Sequence, residues 1–111
     1  MKKTVFILMV LMSAIVFAHS PSSVNLKYNK SDNILKIEAE HSVRNVNNHY
    51  IDEITIHVND KEKDVITFEK QSESKKETYN YNIGKLKEGD KIKVDVSCSR
   101  FGSRTSEIIV K

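Results

Sequence analysis

Apolar and polar residues alternate with a period of two along most of this chain, and that restricts what it can fold into. Val24, Leu26 and Tyr28 alternate with Asn25 and Lys27. Leu35, Ile37 and Ala39 alternate with Lys36, Glu38 and Glu40; Ile54, Ile56 and Val58 with Thr55 and His57. A further strand is predicted from about Val65 to Glu69. Tyr79, Tyr81 and Ile83 follow, then Ile92, Val94 and Val96, then a last strand from about Thr105 to Val110. Successive side chains of a strand face opposite ways, so each run has one face to bury and one to wet. Polar turns punctuate the runs at Asn29 to Asn33, Asn59-Asp60, Leu86 to Asp90 and Arg100 to Ser103. A polar loop is read from Gln71 to Lys76. About seven short strands at this spacing predict an all-β, immunoglobulin-like sandwich.

The first 18 residues follow a different rule. Lys2 and Lys3 precede an apolar run from Val5 to Phe17, and Val16-Phe17-Ala18 ends on small residues at the positions a signal peptidase reads. The run is short for a membrane span. A signal peptide over residues 1–18 is therefore expected, with cleavage leaving one domain over residues 19–111, exported to the periplasm or the exterior and free of the membrane. The domain would begin with His19, whose imidazole and α-amine are then both available to one metal ion. The 18 basic residues less Lys2 and Lys3 leave 16 against 15 acidic, with no block of like charge. That balance gives no electrostatic case for nucleic acid as a partner.

Candidate chemistry is confined to His19, His41, His49 and the one cysteine, Cys98. A lone cysteine in an exported chain has no internal disulfide partner, so it is buried, linked to another chain or bound to a metal. Phase places two of the four. His41 continues the buried row of Leu35, Ile37 and Ala39, and Cys98 continues that of Ile92, Val94 and Val96. Both fall at strand ends, at the rim of the predicted sandwich. Each also has a plain structural reading, as a hydrogen-bonded histidine and a packed thiol. His57 is out of phase with its apolar neighbours and is read as solvent-facing. Imidazole and thiolate together suit iron, copper or zinc, and spacing does not choose among them.

The segments His41, His49-Tyr50-Ile51, Glu53 to Asp60, Gly89 to Val94 and Cys98-Ser-Arg-Phe-Gly102 together resemble the iron-binding domain of the desulfoferrodoxin and superoxide reductase family, most closely its small exported members. The resemblance implies an immunoglobulin-like sandwich, one iron held by four histidines and an axial cysteine, and reduction of superoxide to hydrogen peroxide with an external electron donor. It implies that His41 and His49 are two of the histidines and Cys98 the axial thiolate. His19 takes the place of the first histidine by chain order alone, with no lysine beside it. The gap between His41 and His49 is about two residues longer than in that pattern. The pattern's last histidine falls at Phe101, which cannot bind iron. No Cys-x-x-Cys module adjoins, so the electron donor would be a separate protein.

Two other readings compete with this one. One is a non-catalytic copper or zinc module using His19, His41 and His49. The other is a metal-free interaction domain: Gly89 to Val94 followed by Gly102 to Glu107 is also similar to the smaller subunit of the bacterial sulfur-oxidation carrier pair.

Overall fold

The computed structural model describes residues 19–111; the expected signal peptide lies outside the described residues. Seven strands form: β1 (Ser23–Asn29), β2 (Ile34–Glu40), β3 (Ile51–Val58), β4 (Lys61–Thr67), β5 (Lys76–Asn82), β6 (Lys91–Cys98) and β7 (Ser103–Ile109). They make two antiparallel sheets, ordered β1-β2-β5 and β4-β3-β6-β7. The chain crosses between sheets from β2 to β3, from β4 to β5 and from β5 to β6. This is the all-β sandwich that the alternation predicts.

The core lies between the sheets. Leu35, Ile37 and Ala39 of β2 face Ile54 and Ile56 of β3 and Ile92, Val94 and Val96 of β6, all fully buried. In β6 alternation is complete from Lys91 to Cys98. Each buried Ile, Leu or Val contributes about 1.5–3 kcal/mol of transfer free energy, which makes these three strands the stabilising centre.

β4 is different. It begins at Lys61, four residues earlier than its apolar content suggests, and only Ile66 is partly covered. Its position is set by the turn before it. Asn59 and Asp60 both have positive φ, 51° and 69°, and Val58 pairs directly with Lys61. Such a two-residue turn has the twist that matches a hairpin, and Asn and Asp tolerate it. The charges of Lys61, Glu62, Lys63 and Asp64 then blunt an exposed sheet edge.

One irregularity positions the candidate site. β3 and β6 are in register from Val58↔Ile92 to Glu53↔Ser97, then shift so that Ile51 faces Cys98. Asp52 is the extra residue of a β-bulge, and its carboxylate accepts a hydrogen bond from Ser97 Oγ at 2.7 Å. The bulge lets Ile51 and Ile54, three apart, both point inward. It also turns the chain before Ile51 toward the end of β6.

Candidate metal centre

Four segments meet at one end of the sandwich: residues 19–22, the end of β2, the approach to β3 and the β6–β7 hairpin. His41 is the first residue past β2 and Cys98 is the last of β6. Both keep the phase of their strands and are buried, 4% and 5% exposed. His49 lies in the β2–β3 connection, where phase does not operate. A single tight turn holds it there: Asn48 and His49 N–H both donate to Asn45 O, and Asn47 N–H donates to Asn45 Oδ1. The next residues are stitched to the hairpin. Ser99 N–H donates to Tyr50 O at 2.9 Å and Tyr50 N–H donates to Ser99 Oγ at 3.2 Å.

These constraints bring His49 Nε2 to 3.1 Å from Cys98 Sγ. The His41 and His49 rings meet edge to face, centroids 4.8 Å apart. Candidate ligand atoms of His41, His49 and Cys98 all lie within 4.8 Å of one another. Two donors on one tetrahedral zinc ion, with bonds of about 2.0–2.3 Å, stand roughly 3.5 Å apart. The 3.1 Å between His49 Nε2 and Cys98 Sγ is close to that separation, and the wider spread of up to 4.8 Å would have to contract by about 1 Å for all three donors to hold a single ion.

His19 is beside this group and outside it. Its ring is exposed and 5.5 Å from that of His49, edge to face. Its backbone oxygen lies 3.1 Å from His41 Nε2. His19, Ser20, Ser22, His41, Ser42 and His49 line a small cleft over the donors. The segment is clamped in place: Arg104 Nε donates to Pro21 O at 2.6 Å, Ser22 N–H donates to Glu40 O at 2.8 Å, and Pro21 is buried. Gly102 makes the clamp possible. A Cβ there would stand 2.6 Å from Ser20 N, and its φ of +90° is one that L residues rarely adopt.

Phe101 occupies the hairpin tip with its side chain 83% exposed and φ at +94°. It supplies no donor, and it costs the fold both backbone strain and an unburied ring. His57 points outward as its phase predicts, yet its side chain is only 18% exposed. Its Nδ1 is buried 3.7 Å from Asp95, without a hydrogen bond.

Sequence reasoning missed Gln71. It sits in a polar run and carries no periodic signal, yet it is 1% exposed. Its side chain bonds to the ring and backbone of His41.

The electrostatics favour neutral donors. Burial, reinforced by the charges of His41, Arg100 and His19, lowers the His49 pKa from its ordinary 6.5. Burial, with a smaller contribution from Asp52, raises the Cys98 thiol above its ordinary 9.0; the nearby Arg100 opposes this only in part. Near neutral pH the pair is thus a thiol facing a neutral imidazole, poised for a cation to displace the sulfur's proton.

Fold and site together define a class: a small β-sandwich with a His, His and Cys donor group at one end. No protein-family model matches the sequence, and no curated protein matches it. Solved structures do. The chain is similar to one substituted form of superoxide reductase (neelaredoxin) from Ignicoccus hospitalis, with a TM-score of 0.52 and 16% identity, covering 90% of this chain and 84% of that one. It is also similar to a second substituted form of the same protein, with a TM-score of 0.51 and 13% identity, covering 82% of this chain and 80% of that one. At these identities the likeness is one of fold.

Proposed function

We propose that this chain is an exported mononuclear metal protein whose ion is held by His41, His49 and Cys98, with His19 as a further donor from the clamped N-terminal segment. With iron bound, it reduces superoxide to hydrogen peroxide. The observation that carries this reading is the convergence of three donor atoms within 4.8 Å at the sandwich rim. The likeness of fold to superoxide reductase structures and the resemblance around His49-Tyr50-Ile51 support iron as the metal. Lys2, Lys3 and the apolar run after them support export.

Iron held by such a donor set supplies a one-electron couple close to solvent. One superoxide anion, one electron and two protons give one hydrogen peroxide. The electron would come from a separate donor protein. Cys98 contributes the sulfur donor, and burial shields it from oxidation while the ion is absent. His49 stays neutral because its pKa is lowered, which keeps its lone pair available. The positive charge of Arg100, felt by both His49 and Cys98, favours approach of an anion.

A second reading is favoured by Phe101. With no imidazole at the hairpin tip, the three donors also match a zinc or copper module without turnover. Kinetics separates the two. Iron-loaded protein under a steady superoxide flux, with a chemical reductant, is expected to consume about one reductant electron per superoxide and to evolve no oxygen. Stoichiometric metal with no superoxide consumption would leave the metal module and overturn catalysis.

A further inference from the structure

Gln71 satisfies all four of its side-chain hydrogen-bonding positions, and three of the partners are backbone groups. Ile51 N–H donates to its Oε1 at 3.2 Å. Its Nε2 donates to His41 O and to Glu73 O, both at 2.7 Å. A backbone N–H can only donate and a carbonyl can only accept, so these contacts fix which end of the amide is oxygen. The fourth contact is the informative one: Oε1 lies 2.8 Å from His41 Nδ1. An amide oxygen only accepts, so Nδ1 must carry the proton. In a neutral ring the lone pair is then on Nε2.

His41 Nε2 faces the backbone oxygen of His19 at 3.1 Å. A lone pair and a carbonyl oxygen cannot hydrogen-bond to each other. A neutral ring would therefore present an acceptor to an acceptor in a cleft lined by His19, Ser42 and His49. That contact is relieved when a cation takes the lone pair.

On these grounds, and resting on the metal-centre reading above, we infer that Gln71 is the positioning residue of the site. It commits His41 to bind metal through Nε2, and it holds ring and main chain of residue 41 with one buried side chain. It also bonds to Ile51 N–H, at the start of the strand that follows His49. The two histidines are thereby referenced to a single amide. A hydrogen bond to the remote nitrogen of a metal-binding imidazole fixes the tautomer and raises ligand basicity, and losing such a partner commonly costs about 10–100-fold in affinity.

The test uses the full domain with cadmium-113 as the metal. In metal-free wild-type protein at mildly alkaline pH, a long-range proton–nitrogen spectrum is expected to show His41 protonated at Nδ1. On adding cadmium, scalar coupling should appear to His41 Nε2 and not Nδ1. Gln71→Met keeps the length and removes donor and acceptor; it should lose the tautomer preference and bind cadmium at least about tenfold more weakly. Gln71→Glu, which keeps an acceptor for Nδ1–H, should restore the tautomer. An Nε2-protonated His41 in the wild type, cadmium coupling to Nδ1, or wild-type cadmium affinity in Gln71→Met would each overturn the inference. If Gln71→Met does not fold, the wild-type spectra decide. If no cadmium binds, the metal reading fails while the tautomer still reports on Gln71.

Discussion

At the scale of single residues, burial favours the uncharged forms of His49 and Cys98. This has a pH signature in the metal-free protein. The folded His49 pKa lies below its ordinary 6.5, so the unfolded chain takes up the proton first as pH falls. Stability is expected to decline as pH drops below 6.5 and to stop declining on this account once His49 itself protonates. Cys98 works at the other end. Its thiol is raised above 9.0, so the unfolded chain ionises first and stability falls as pH climbs past that value. Urea midpoints across the pH range check both limbs, and His49→Gln should flatten the acid one. Phe101 makes a separate case. Phe101→Gly relieves a positive φ and removes an exposed ring, and is expected to raise stability by up to about 1 kcal/mol.

At the scale of elements, the readable parts of the site are those that continue the alternation of a strand. His41 and Cys98 were legible because each ends an alternating row, and the structure buries both. His49 lies in a loop, where its position depends on the Asn45 turn and on the bulge at Asp52. The bulge left a trace in the sequence, since Ile51, Ile54 and Ile56 break strict alternation, but a break does not say which way the chain turns. β4 starts earlier than its apolar residues suggest because an edge strand buries almost nothing and so has no period to read. Gln71 was invisible for a related reason: a buried amide in a polar run differs from its neighbours only in what it touches. The N-terminal clamp was equally silent, because it depends on Gly102 having no side chain beside Ser20. Gly102→Ala is accordingly expected to cost about 1–3 kcal/mol and to free residues 19–22. Proteolysis near Ser20 in the variant, resisted by the wild type, would show it.

At the scale of the whole molecule, the sandwich is a rigid frame with its chemistry at one end. The core and the site are therefore expected to separate in mutants. Ile56→Ala, in the middle of β3, should cost about 2–5 kcal/mol in urea unfolding and leave metal affinity of the folded protein unchanged. Metal should act on the whole fold by mass action. A free concentration about 100 times Kd adds about 2.7 kcal/mol to wild-type stability, and Cys98→Ser should lose most of that gain. The apolar core between the two sheets forms without any contribution from the donor group, so metal-free protein is expected to remain folded.

If His41, His49 and Cys98 hold one ion together, iron loading reveals it. Protein with no tag near His19, loaded anaerobically and then oxidised, should contain one iron per chain and show a sulfur-to-iron absorption band. The band should vanish in Cys98→Ser, and iron content should fall in His41→Ala and His49→Ala. A chain that retains no metal, or a band that persists in Cys98→Ser, would rule out an ion shared by these three residues.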